Sequence, residues 1–183
     1  LGDLVHVPKN LSTFKFQVTT FRQGVDVRIT DMQSLSATDL EWQRLIVSVY
    51  TSDDATDQDL AGCFNAIQNG RNGDLPLTWE HYHRFTVDSV RRSDAASVVD
   101  ISWNADRIGS DDKGALPFDV PAIGELALIS ATTFSDGEQY ATLLFSDPLD
   151  PAQDLKGIVG IAGTDVLRIS IDGNKLVLYP TER

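Results

Sequence analysis

Val166-Leu167-Arg168-Ile169-Ser170-Ile171-Asp172-Gly173-Asn174-Lys175-Leu176-Val177-Leu178-Tyr179 decides the fold. Each half alternates apolar with other residues, and successive side chains of a strand point to opposite faces. Asp172-Gly173-Asn174 stands between the halves, where a tight turn needs a residue that tolerates positive φ. The stretch reads as a β-hairpin. Just upstream, Leu126 to Phe134 and Gln139 to Phe145 repeat the pattern around Ser135-Asp136-Gly137.

Further out the alternation continues. Phe85-Thr86-Val87-Asp88-Ser89-Val90 and Val98-Val99-Asp100-Ile101-Ser102-Trp103 are rich in β-branched and aromatic residues, which suit a pleated surface. Leu45-Ile46-Val47-Ser48-Val49-Tyr50 is more continuously apolar, as in a central strand buried on both faces or a strand of a sandwich core. Phe14 to Val18 and Val25 to Ile29 add two more strand candidates. Helix signal is scarce. Asp57 to Gln68 places Leu60, Phe64 and Ile67 at i, i+4 and i+7, with Asp57 as a cap. Asp150 before Pro151 allows a short helix over Pro151 to Leu155. The expectation is an all-β protein of two β-sandwich domains in tandem. The joint falls over Gly114 to Gly124, which holds Pro117 and Pro121, and the domains span 1–116 and 117–183. The second is short enough to be incomplete.

Composition excludes several classes. The chain has 183 residues, 42% hydrophobic and 23% charged, an ordinary globular balance. Its net charge is −12, which repels phosphate backbones, so nucleic-acid binding is not expected. One cysteine, Cys63, allows neither an intrachain disulfide nor a Cys-rich zinc site. No apolar run approaches the roughly 20 residues of a membrane helix. Leu1 to Asn10 lacks the basic and apolar regions of a signal peptide, and a first residue other than Met fits a processed or excised chain.

Candidate chemistry is thin. His81 and His83 would share a strand face and could chelate a metal, but a third ligand is missing and Glu80 would point away. Asp53, Asp54, Asp57 and Asp59 form one acidic cluster, and Asp147, Asp150 and Asp154 another. Neither fits a calcium loop, and caps and turns account for them. Cys63 sits among Gly62, Phe64 and Asn65, without a catalytic cysteine signature. Its apolar setting should raise the thiol pKa. Trp42, Trp79 and Trp103 could stack on a sugar, although a strand tryptophan in a sandwich usually belongs to the core. No phosphate-binding glycine loop appears. The expectation is therefore no enzyme, and no catalytic, cofactor or metal residues.

Leu144-Phe145-Ser146-Asp147-Pro148-Leu149-Asp150-Pro151, followed by Gln153-Asp154-Leu155-Lys156-Gly157-Ile158, is more specific. It resembles the N-terminal region of bacterial alpha-2-macroglobulins, in which a strand ends in Phe-Ser-Asp-Pro-Leu-Asp and a Gln-Asp-Leu-x-Gly turn follows. The terminal hairpin, with its Asp172-Gly173-Asn174 turn and Tyr179-Pro180 ending, is similar to the family's next element. Phe85 to Val90, Val99 to Asn104 and Gly114 to Gly124 look like the preceding domain. The resemblance covers residues 14–183.

It implies macroglobulin-like, immunoglobulin-like sandwiches in a protease trap, in which bait cleavage collapses a string of domains around the protease. Many members also carry a Cys-x-Glu-Gln thioester. Here Cys63 is followed by Phe64, Asn65 and Ala66, and no segment is long enough to serve as bait. The resemblance implies a scaffold fragment without reactive parts. Its partners would be other macroglobulin-like domains, with proteases reached only through the whole parent. The location implied is the periplasm or cell envelope, with any lipid anchor on a segment before Leu1. The alternative is a cell-surface β-sandwich adhesin or carbohydrate-binding module. An exposed tryptophan row would favour that alternative.

Overall fold

A computed structural model describes residues 23–36, 39–163 and 165–181. The expected strand at Phe14 to Val18 lies outside them. The protein is all-β, and its described residues form three antiparallel sheets. The first sheet holds, in spatial order, β1 (Val25–Ser34), β2 (Trp42–Thr51), β5 (Arg84–Arg91) and β4 (Leu77–Trp79). The second holds β3 (Phe64–Gln68), β6 (Ser97–Asn104) and β7 (Lys113–Val120). Lettered A to G in chain order, these seven strands give the sheets ABED and CFG, the constant-type immunoglobulin arrangement.

One core joins these two sheets. Val27, Met32, Leu45, Val47, Phe85 and Val87 come from the first, and Phe64, Ala66, Val99, Ile101 and Val120 from the second. Burying each larger apolar side chain contributes about 1.5–3 kcal/mol. No disulfide bridges the sheets, since Cys63 is a free thiol. In its place an aromatic group fills the centre: Phe64 lies 5.2 Å from Phe85 and 5.7 Å from Trp79, and Trp79 lies 4.8 Å from Phe85.

The third sheet runs β10 (Val166–Asp172), β11 (Lys175–Pro180), β9 (Tyr140–Phe145), β8 (Leu128–Phe134). Both expected hairpins are present. In the last one Asp172 pairs with Lys175, and Gly173 takes the positive φ, 58°. Leu176 and Leu178 are buried on one face, opposite Ile171 and Ile169 of β10. Leu155 borders a cavity of about 250 Å³ together with Ile169 and Ile171.

Three expectations need correction. The helix expected over Asp57 to Gln68 is only α1 (Asp57–Ala61), capped by Thr56 rather than Asp57. It stops at Gly62, and Phe64 to Gln68 is β3, with 64, 66 and 68 buried and 65 and 67 exposed. The i, i+4, i+7 match was coincidental, for Ile67 is 45% exposed. The helix expected over Pro151 to Leu155 is instead a pair of turns. The Asp150 and Asp154 carboxylates accept the backbone N–H of Ala152 and Lys156 at 2.9 and 3.0 Å, competing with a helical path. The joint also sits later than expected. Residues 113–120 pair along their length with β6, and Pro117 is tolerated there because β7 is an edge strand. The connection to the third sheet is Pro121 to Ala127.

Candidate functional site

His81 and His83 do not share a strand face. They lie in the turn between β4 and β5, where Tyr82 and His83 adopt positive φ, 65° and 55°. The turn is held from three sides. Glu80 N–H donates to the Arg84 carbonyl at 2.8 Å, and Val49 N–H to the His83 carbonyl at 2.8 Å. The Asp57 carboxylate accepts His83 N–H at 2.9 Å and stands 2.8 Å from His83 Nδ1. The backbone N–H of His83, joined by its ring, holds the Asp57 carboxyl below the usual carboxylate range. An open cleft of about 500 Å³ adjoins the turn, lined by Tyr50, Asp53, Asp54, Tyr82 and His83 among others. Among the described residues no group of three or more His, Cys, Asp or Glu is placed to hold a metal ion.

Two of the remaining acids of the first cluster, Asp53 and Asp59, have local tasks. Asp59 and Thr56 form a reciprocal cap, with Thr56 Oγ1 2.6 Å from Asp59 Oδ2 and Asp59 N–H 3.2 Å from Thr56 Oγ1. Asp53 Oδ1 accepts Asp54 N–H at 2.8 Å. Cys63 is buried, with Sγ 3.4 Å from the Asp59 carbonyl. Burial pushes its thiol pKa up, so it stays protonated and a poor nucleophile at neutral pH.

The tryptophans make no exposed row. Trp79 and Trp103 pack against the core, and the Arg71 guanidinium covers Trp42 at 5.5 Å. A different row appears on the third sheet. Arg168 lies 3.8 Å over Tyr179, Tyr179 is 5.9 Å from Tyr140, and Tyr140 stacks on Phe134 at 4.6 Å. These four residues come from β10, β11, β9 and β8 in that order. Phe134 and Tyr140 are stacked, whereas Tyr140 and Tyr179 meet at a tilt of 38°.

The most elaborate polar site joins Asp147, expected to serve only a turn, to Arg92, which the sequence did not single out. Arg92 follows β5, its side chain is 0% exposed, and it pairs with Asp147. Nη1 and Nη2 contact the two carboxylate oxygens at 2.7 and 3.1 Å. Nε donates to the Pro121 carbonyl at 3.0 Å, Nη2 to Ala122 at 2.6 Å, and Nη1 to Ser146 at 3.3 Å. A guanidinium offers five N–H donors in a planar fork, and this socket occupies that fork with carboxylate and carbonyl oxygens. Ser146 Oγ lies 2.5 Å from Asp147 Oδ2 and accepts Ala127 N–H at 2.9 Å. Alternation from Phe85 and Val87 would point Arg91 inward; the irregularity at Asp88 and Ser89 shifts the phase, so that Val90 and Arg92 are buried and Arg91 is exposed.

Asn174 makes a second link between the third sheet and the sandwich. Its Nδ2 donates to the carbonyls of Met32 in β1 and Phe145 in β9, at 2.6 and 2.9 Å. Beside it Lys175 pairs with the buried Asp31 at 2.7 Å. No helix among the described residues is long and apolar enough to cross a membrane. The chain matches no family model, no curated protein and no solved structure.

Proposed function

We propose that this chain is a non-catalytic scaffold segment of an alpha-2-macroglobulin-like protease trap, holding successive β-domains in a fixed relation. One observation carries the reading. Ser146 and Asp147, from the Phe-Ser-Asp-Pro element, and Asn174, from the Asp-Gly-Asn turn, all meet the preceding sandwich. Three of the residues that carry the family resemblance are thus spent on contacts between the third sheet and the sandwich. The polar clusters elsewhere serve as caps, turn clamps and ion pairs. In this reading the partners are neighbouring macroglobulin-like domains, and proteases are met only by the whole parent, in the periplasm or cell envelope.

The test is to incubate the purified chain with trypsin-like, elastase-like and subtilisin-like proteases and follow digestion of a large protein substrate. Digestion should proceed at the uninhibited rate, with no SDS-stable conjugate. The coding sequence beside this segment should specify further β-domains of the same kind. Stoichiometric protection of the substrate, or a covalent adduct through Cys63, would overturn the reading. So would the absence of such domains from the parent.

A further inference from the structure

An open sheet edge exposes a row of unpaired backbone N–H and C=O groups that can template another strand, and proteins usually blunt it. Among the described residues the three sheets have six edge strands. β1 carries Asp26, Arg28 and Asp31 and is bulged between Ile29 and Asp31. β4 is only three residues long. β3 is covered by the returning chain, through the Leu75 N–H to Ala66 carbonyl bond at 2.7 Å and the Ile67–Asp74 bridge. β7 has Lys113, Pro117 and Asp119. β10 has Arg168 and Asp172 and a register shift near its start.

β8 lacks these devices along its length. Leu128-Ile129-Ser130-Ala131-Thr132-Thr133-Phe134 holds no charge and no proline. Its register shift lies between Leu128 and Ser130, leaving Ser130 to Phe134 in regular pairing with β9. Ala131 to Phe134 are exposed, and no described strand pairs with the outer edge. We infer that this edge is a docking site for an extended strand of a partner protein, added to the third sheet by main-chain hydrogen bonding. The inference rests on the edge alone and stands whether or not the scaffold reading holds.

Charge selects the occupant. Glu125 precedes the strand, Asp136 and Glu138 follow it, and all three are exposed. Glu138 reaches Arg168 at 3.5 Å, while the chain as a whole carries −12. A second copy is disfavoured. Antiparallel pairing of two β8 strands about Ala131 sets Glu125 of one copy against the Asp136–Glu138 turn of the other, at both ends. The matching partner is a strand with an uncharged β-branched centre and Lys or Arg at each end.

The experiment uses a fluorescent peptide, Lys-Arg-Val-Thr-Val-Thr-Val-Arg-Lys, capped at both ends and titrated against the intact chain. The expected results are saturable binding with Kd below about 1 mM, and slowed amide exchange confined to the β8 edge in the NMR spectrum. N-methylation of the five central residues removes the main-chain donors but keeps the charge, and should weaken binding at least about tenfold. Replacing the four basic residues with Glu should weaken it by a similar factor. Equal binding of the methylated peptide would overturn the inference, because attraction to an acidic protein would then suffice. Absence of saturable binding, or protection at another sheet, would overturn it too. A concentration-dependent dimer abolished by Thr132→Lys would assign the edge to a second copy instead.

Discussion

Gly114 has no side chain because the Trp103 ring occupies its place. The two residues are paired across β6 and β7, and a Cβ on Gly114 would sit 2.3 Å from Trp103 Cζ2. The indole cannot simply retreat, since it packs 6.4 Å from Phe64 against the core. Gly114→Ala should therefore cost about 1–3 kcal/mol, the usual range for overpacking. Urea denaturation with an unchanged midpoint would count against this account. Asp57 gives a residue-scale prediction with a sign. Its carboxyl is depressed by the His83 N–H and ring, so its contribution to stability is present above the ordinary carboxylate pKa. It is lost as pH falls through the folded value. Asp57→Asn keeps one acceptor oxygen and removes the charge. It should lower stability at pH 7 by less than about 1 kcal/mol, because the pair is partly solvated. The gap should close on acidification below about pH 4. A difference that stays constant down to the acid limit would show that charge is not the operative feature.

β5 shows how an element absorbs an irregularity. Its pairing with β2 slips between Gln43 and Leu45, so that Asp88 and Ser89 stand against Arg44. Ser89 takes φ 60°, a conformation uncommon for a residue with a Cβ. Around it Arg44 bonds Asp88 at 2.5 Å, Thr78 Oγ1 donates to Asp88 at 2.9 Å, and Arg71 donates to the Ser89 carbonyl. Burial alone would raise the Asp88 pKa, but the bonds from Arg44, Thr78 and Thr86 outweigh it and hold it low. Ser89→Gly should be neutral or stabilising by up to about 1 kcal/mol, while Ser89→Val should destabilise by about 1–3 kcal/mol. Thermal melts of the pair test this ordering, and its reversal would mean that the bulge is not strained. The bulge was not legible in the sequence, where Phe85 to Val90 reads as plain alternation. The hairpins were, because Asp-Gly between alternating runs acts locally. The helical reading of residues 62–68 failed for the opposite reason: Phe64, Ala66 and Gln68 are claimed by the sandwich core, which a short window does not contain. Arg92 was missed because its partners lie 29 to 55 residues away.

At the scale of the whole molecule, besides Ile129 of β8, which packs against the sandwich core, the third sheet is tied to the sandwich by polar contacts. These are the Arg92 socket, the Asn174 bond to Met32 and the Lys175–Asp31 pair. A cleft of about 390 Å³ opens between Gln33 and Ser34 on one side and Asp172 to Lys175 on the other. Polar contacts between domains resist relative motion less than a broad apolar seam does. The socket around the buried Arg92 is therefore the natural control point for coupling. Removing one partner of a buried ion pair leaves the other desolvated and costs about 3–5 kcal/mol. Arg92→Met should incur a loss of that order, and Arg92→Lys should recover little of it, because one ammonium cannot reach both carboxylate oxygens and the Pro121 and Ala122 carbonyls. The loss should fall unevenly. The apolar core of the seven-stranded sandwich lies apart from this ion pair, whereas Ser146 and Asp147, the two residues that follow β9, form part of the socket. Wild-type protein should unfold in one calorimetric transition. Arg92→Met should split it, with β8 to β11 melting first and their amides exchanging before those of β2, β5 and β6. Asp147→Asn, which leaves the buried guanidinium without its counter-charge, should split it likewise. A single lowered transition in both variants, with exchange rising uniformly across the three sheets, would show that the socket supports one indivisible core and does not couple separable parts.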